Sequence, residues 1–289
     1  MQILLRGLLI FVGMWPLAVL HGIGFVLGHL LWWVPNNLRR GTVKHLELCL
    51  PERSADERRR IARRSLIEAM KGVMESPAIW FGPEWRLRRW CSHPAAVSAL
   101  QAARAAAPAT IFLTPHLGAW ELAGQFVARF GRLTILYKPQ KSRFDALIRE
   151  GRSRNPNAHP VPTNAQGVKA LLAALKRGET VGILPDHDPP EGAGRFAPLF
   201  GIPAHTTDLP GKLAARTGAS AWFIVAERLP WARGFRFHLT PAPAALTDRE
   251  HSTAALNAGV EASIRALPEQ YWWSYERFRR RPSKASKRM

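Results

Sequence analysis

His116 and Glu121 stand five residues apart in the run Thr-Pro-His-Leu-Gly-Ala-Trp-Glu at positions 114–121. An imidazole held by a carboxylate is a general base. The carboxylate fixes one tautomer and stabilises the imidazolium that forms when the other ring nitrogen takes a proton from an acceptor hydroxyl. On a continuous helix five residues advance ~500°, leaving the two side chains about 140° apart, so they would not share a face. The pair therefore needs a turn. Pro115 disfavours helix at Thr114, and Gly118 allows an unusual backbone angle just before a helix begins. This spacing predicts His116 at a strand end, with Glu121 in the first turn of the next helix reaching back toward the ring. Taken alone it is a weak signal, shared with many surface histidines.

The elements that must position the pair are legible as alternating patterns. Short apolar runs at 109–113, 133–137, 180–184, 221–226 and 235–239 read as buried strands. Helical periodicity occupies 94–107, 122–130, 144–152 and 166–176. Strands alternating with helices predict an α/β layer structure, a central mixed sheet flanked by helices. A further basic helix is predicted from about 56 to 80, capped by Ser54 or Asp56. Its charged face carries Arg58, Arg59, Arg60, Arg63 and Arg64, and Ile61, Leu66, Ile67, Met70, Val73 and Met74 form the apolar stripe. No repeat or low-complexity linker divides residues 38–282, which are read as one catalytic domain.

With 289 residues and 47% hydrophobic content, a substantial core is available. The 41 Lys plus Arg against 21 Asp plus Glu give a net charge of +20. That surplus suits an anionic partner: nucleic acid, an acidic membrane, a phosphorylated lipid or an acidic carrier protein. Cys49 and Cys91 are the two cysteines, which argues against a disulfide framework or a structural zinc site and fits a reducing compartment. No zinc-protease His-Glu pattern and no phosphate loop ending in Lys-Ser or Lys-Thr occurs, so neither a metal nor another cofactor is expected.

Residues 7–35 contain no acid, Lys or Arg. As one helix this stretch would cover ~40 Å, against roughly 30 Å for a hydrocarbon core. Trp32-Trp33-Val34-Pro35 is not a small-residue cleavage site, so residues 1–37 are expected to be a retained membrane-anchoring helix. A hairpin or a helix lying in the membrane surface is the alternative, because Pro16 and several glycines can bend it. Arg39, Arg40 and Lys44 follow the segment whereas Arg6 alone precedes it, which puts the catalytic domain on the cytoplasmic side. Arg277, Arg279, Arg280 and the lysines beyond read as a basic tail, with 283–289 disordered.

The run Pro-His-Leu-Gly-Ala-Trp-Glu-Leu-Ala-Gly at 115–124, behind an apolar segment, resembles the lysophospholipid-type acyltransferase superfamily and, within it, the lipid A late acyltransferases. Further ordered motifs carry the resemblance along almost the whole chain: Leu-Cys-Leu-Pro-Glu at 48–52, Tyr137-Lys138-Pro139, Gly-Arg-Ser-Arg at 151–154, Pro-Asp-His-Asp-Pro at 185–189, Pro-Leu-Phe-Gly-Ile-Pro-Ala at 198–204, and Pro-Glu-Gln-Tyr-Trp-Trp at 268–273 followed by Arg277-Phe278-Arg279. His187 stands where the family usually has glutamine. Ser274-Tyr275-Glu276 replaces a segment that commonly carries histidine and arginine.

The resemblance implies a glycerolphosphate-acyltransferase-like fold and an inner-membrane enzyme. Its donor would be acyl-acyl carrier protein and its acceptor a phosphorylated glycolipid, the lipid A precursor. His116 would deprotonate the acceptor hydroxyl and Glu121 would orient it. Arg149 and Arg152 are candidates for phosphate or developing charge. Asp186, at a strand end, would organise an arginine or the donor, or simply cap the strand. Lys138 is a further candidate for lipid phosphate, with Arg195 and Arg228 behind it. Trp80, Trp85, Trp90 and Trp272-Trp273 are expected in the core or at a membrane interface. Acylation of another lipid (lyso-ornithine lipid, lysophospholipid or mannosylated glycolipid) is the alternative chemistry. A non-catalytic protein that binds lipid or carrier protein is the alternative class. Nucleic acid is not an expected partner, since no RNP-like, zinc-finger or helix-turn-helix signature is present.

Overall fold

The computed structural model describes residues 2–139, 144–280 and 282. Helices α1 (Gln2–Gly13), α2 (Leu17–Trp33), α3 (Asn37–Cys49), α4 (Ala55–Phe81), α5 (Glu84–Trp90) and α6 (Pro94–Ala105) precede the sheet. The remainder alternates: β1 (Thr110–Leu113), α7 (Trp120–Ala128), β2 (Leu133–Tyr137), α8 (Asp145–Arg152), β3 (Ala158–Pro162), α9 (Ala165–Lys176) and β4 (Thr180–Ile183). A hairpin, β5 (Gly194–Leu199) and β6 (Ile202–Thr207), then α10 (Leu209–Thr217), β7 (Ser220–Arg228), β8 (Phe235–Pro241) and α11 (Ser252–Ala266), complete the chain.

The main sheet has strand order β3-β2-β4-β1-β7-β8, parallel except for the antiparallel β8 edge. Its central strands β1 and β4 are buried at every residue. That explains why they read as continuous apolar runs and not as alternations. The five expected strands are all present. Two features escaped the sequence reading: β3, whose Ala-His-Pro-Val-Pro sequence is tolerated because it is an edge strand, and the separate β5–β6 hairpin. One core cluster packs around Ile111, Leu113, Val181 and Phe223, and a second around Phe112, Phe126 and Ile224 on the other face.

The apolar N-terminus is not one helix. α1 and α2 are bent by 110° relative to each other across the break at Pro16, and among the described residues no single helix is long and apolar enough to cross a membrane. α2 lies along α4 instead. Gly24 and Gly28 make the approach close: a Cβ on Gly24 would stand 2.6 Å from Lys71 Cα, and one on Gly28 2.3 Å from Ile67 Cα. Real side chains could not occupy either place. α4 starts on a capping box, Ser54 accepting from the Glu57 amide and Glu57 from the Ser54 amide. Val73, expected in its buried stripe, is 47% exposed, and the inward face carries Gly72 and Glu75 instead.

Candidate active site

His116 sits on the connection between β1 and α7. Gly118 turns this connection with φ +61°, and a Cβ there would lie 2.2 Å from the Ala226 carbonyl oxygen. The loop is tied down on both sides: the Gly118 amide donates to the Gln270 carbonyl at 3.1 Å, the Ala119 amide to that of Ala226 at 2.7 Å, and the Trp272 amide to that of His116 at 3.0 Å. Trp120 lies against the His116 ring (5.4 Å), and Trp272 packs edge-on against Trp120.

The expected turn is therefore present, but the carboxylate on the imidazole is Asp186 and not Glu121. Asp186 Oδ1 is 2.9 Å from His116 Nδ1, and its Oδ2 accepts from the His116 amide at 2.9 Å. Asp186 is only 2% exposed. Burial by itself would raise its carboxyl. The neighbouring His116 ring and amide, with His187, outweigh that and hold it well below the usual carboxylate range. With Nδ1 so engaged, Nε2 is the nitrogen left to take a proton.

Glu121 does start the first turn of α7 as expected, but it is turned to Arg152. Arg152 Nε lies 3.0 and 3.2 Å from its two oxygens, Nη2 also donates to Oε1, and the Trp80 indole donates to Oε2 at 3.1 Å. The reason is local: α8 ends at Arg152 beside α7, and the α7 residue Gln125 holds the Arg152 carbonyl at 3.1 Å. Burial pushes Glu121 up, but the Arg152 charge and hydrogen bonds dominate and lower it; His116 adds a smaller pull in the same direction. Arg152, expected to face phosphate or developing charge, is thus committed to a carboxylate and lies over the Tyr137 ring at 5.0 Å. Beside this ion pair is a cavity of about 60 Å³ whose walls include Phe112, Gly124, Ile135 and Gly182.

Asp186 thus proves to be more than a strand-end cap. Arg149 is exposed on α8. Lys138 is exposed at the end of β2 and close enough for its charge to act on His187. Arg195 is exposed on the β5–β6 hairpin. Arg228 is buried behind the β1–α7 connection, where Nη2 donates to the Gly118 carbonyl at 2.8 Å and Nε to Glu75 at 2.9 Å.

His187, noted in the sequence as a departure from the family pattern, stacks on His116 with ring centroids 4.2 Å apart and planes 16° apart; Tyr275 covers it at 4.8 Å. Burial first, then the charge of His116, lowers His187 to about 4, so it is neutral near pH 7. Asp188 binds His205 (2.9 Å), Arg279 (2.6 Å) and Arg280 (3.2 Å). Arg277 is 4% exposed and donates to the His205 carbonyl at 2.6 Å. Arg277, Arg279 and Arg280 are accordingly structural partners of the 185–189 loop and its neighbours. Residues 283–289 lie outside the described residues. Among the described residues no group of three or more His, Cys, Asp or Glu side chains could hold a metal ion.

An imidazole with a buried carboxylate on one ring nitrogen and the second nitrogen open can abstract a proton from a hydroxyl; an ion pair of opposite charges joins the adjoining helices α7 and α8. Residues 2–280 match the family model described as bacterial lipid A biosynthesis acyltransferase. The chain is 30% identical over 280 residues to the lipid A biosynthesis lauroyltransferase of Escherichia coli (strain K12), covering 96% of this chain and 90% of that one. It is 28% identical to the palmitoleoyltransferase of the same organism over 83% of this chain and 78% of the relative. A lipid A biosynthesis acyltransferase of Haemophilus influenzae is 25% identical, over 92% and 86%. The match runs over nearly the whole length, and the chain belongs to the bacterial lipid A biosynthesis acyltransferase family.

Proposed function

We propose that this acyltransferase moves a fatty acyl group from the thioester of acyl carrier protein to a hydroxyl of an already acylated, phosphorylated lipid A precursor. The secondary chain so added forms an acyloxyacyl group on the cytoplasmic side of the inner membrane. The observation that carries the mechanism is the Asp186–His116 pair. Asp186 holds the proton on Nδ1, so Nε2 takes the proton of the acceptor hydroxyl as its oxygen attacks the thioester carbonyl. The tetrahedral oxyanion then collapses and the carrier thiolate leaves, taking up a proton that His116 can return. A thiolate is a good enough leaving group to need no covalent enzyme intermediate.

Glu121 enters this scheme differently from its expected role. It fixes Arg152, and the ion pair ties α7, which follows the His116 loop, to the end of α8. Arg149 and Lys138, both exposed, are the candidates proposed for the phosphates of the acceptor. The net charge of +20 suits an acidic carrier protein and an anionic glycolipid alike.

Purified protein given acyl carrier protein thioester and a tetra-acylated precursor should yield a lipid heavier by one acyl chain, and His116→Ala should abolish the gain. No mass gain across several chain lengths would overturn the acceptor assignment. Gain on lysophospholipid or lyso-ornithine lipid alone would reassign it.

A further inference from the structure

A groove of about 1180 Å³ runs between α2 and α4, away from the His116 ring. One wall is the arginine row of α4, and the other is the outer face of α2 together with the Pro230–Ala232 turn. The cations in it are not equivalent. Arg64 is paired with Glu269 at 2.8 Å, Lys71 with Glu68 at 2.5 Å, and Arg228 at the floor with Glu75. Arg59, Arg60 and Arg63 have no carboxylate partner among the described residues. Arg63 is hydrogen-bonded to His29 (2.7 Å), and Arg59 sits 5.8 Å from the Trp32 ring. Asp56 is the remaining acid on this wall.

The apolar wall is equally unsatisfied. α2 exposes Phe25 (50%) and Trp33 (67%), and Trp231 is 92% exposed on a backbone with φ 61°. A tryptophan held out on a strained left-handed backbone is the kind of outlier that marks a functional surface. α1 likewise leaves Ile3, Leu4, Leu8 and Phe11 exposed.

We propose that the α2–α4 groove seats the phosphodiester headgroup of an anionic phospholipid, with Phe25, Trp33 and Trp231 entering the adjoining acyl layer. Free guanidiniums beside exposed tryptophans match the two zones of a bilayer surface, a charged headgroup plane and the apolar region under it. A second copy of the chain does not fit, because a two-fold contact would bring one arginine row against the other. An acidic carrier protein would satisfy the arginines but leave the apolar wall and α1 facing water. The ligand is a bulk lipid, so the proposal stands apart from the identity of the acyl acceptor.

The test is co-sedimentation of the full chain with vesicles of phosphatidylcholine alone or with phosphatidylglycerol added. Phosphatidylglycerol should tighten binding. Arg60→Gln/Arg63→Gln should lose about 30-fold of that affinity, from roughly fivefold per cation. Lys169→Gln/Lys176→Gln, the same charge change on exposed residues of α9, should stay within about threefold. Trp33→Ser/Trp231→Ser should weaken binding to both vesicle types, and circular dichroism checks that each variant is folded. Equal losses in the two charge variants, or indifference of the wild type to phosphatidylglycerol, would overturn the proposal. So would an Arg60→Gln/Arg63→Gln protein that keeps its vesicle binding but loses affinity for acyl carrier protein. No turnover is measured, so these outcomes are independent of the acyl-transfer reading.

Discussion

Asp186→Asn is the sharpest perturbation of the mechanism. Asp186 accepts two hydrogen bonds from His116, one from the backbone amide at 2.9 Å and one at Nδ1, also 2.9 Å. Asparagine offers one oxygen and one NH2 in their place. If the oxygen stays on the backbone amide, the NH2 faces Nδ1, and that nitrogen must then present its lone pair. The ring proton moves to Nε2, the very position that has to accept one from the acceptor hydroxyl. If the amide flips, the backbone N–H meets the NH2 and the loop must move. A charge-assisted hydrogen bond contributes ~1.5–3 kcal/mol, or about 10- to 150-fold in rate, and a wrong tautomer adds to it. We expect kcat to fall by about 10³-fold with KM changed less than about threefold, because Asp186 is only 2% exposed and acts through His116. Initial rates against acceptor concentration, with a thermal unfolding control, measure both. A folded Asp186→Asn enzyme within about fivefold of wild-type kcat would refute the assignment. The same loss in Glu121→Gln, with Asp186→Asn active, would restore Glu121 as the orienting group.

Glu121→Gln should act mainly on stability: it leaves the largely buried Arg152 without its counter-charge, at about 3–5 kcal/mol, and lowers the midpoint of thermal unfolding by roughly 10 °C. Glu121→Gln/Arg152→Met should regain part of that loss, which calorimetry can read. Gly118→Ala puts a Cβ 2.2 Å from the Ala226 carbonyl oxygen at φ +61°, so the catalytic loop must shift; about 1–3 kcal/mol of stability and most of kcat should go together. His187→Gln should flatten the dependence of stability on pH. His187 is held at about 4 whereas an unfolded histidine titrates near 6.5, so between these values the unfolded chain binds the extra proton and stability falls as pH is lowered. Urea unfolding at pH 8 and 5.5 should show the wild type losing ~1 kcal/mol more than the variant over this interval, and an equal loss in both would refute the neutral, buried state.

The central strands were legible because a parallel strand buried on both faces has to be apolar throughout. β3 was not, since its two prolines argue against a strand anywhere except an edge, and edge position is a tertiary fact. The N-terminal run shows a different limit. Hydropathy reports that a segment avoids water and says nothing about whether lipid or protein replaces it. Here Gly24 and Gly28 bring α2 onto α4, so its inner face is satisfied by protein and only its outer face remains apolar and open. The glycine spacing was visible in the sequence, but its partner, Ile67 to Lys71, lies some forty residues away.

The same distinction between local and distant information explains the site. Five residues of spacing bring Glu121 near His116, close enough for the ring to help lower the Glu121 carboxyl, but proximity does not choose a hydrogen-bond partner. That choice is made by the β1–β4 register. Leu113 is paired with Ile183, and the ladder continues with the Thr114 amide donating to the Ile183 carbonyl at 3.0 Å. His116 and Asp186 are each three residues beyond that last pair, so two adjacent strands leaving the sheet in step deliver the imidazole and the carboxylate together. Aligning the apolar runs 110–113 and 180–183 would have exposed the pairing, whereas the short spacing to Glu121 concealed it. A one-residue slip of β1 against β4 would turn every buried side chain of the strand toward the opposite face as well as separate base from carboxylate. The two cores that flank β1 and β4 therefore hold the His116–Asp186 distance as firmly as they hold the sheet.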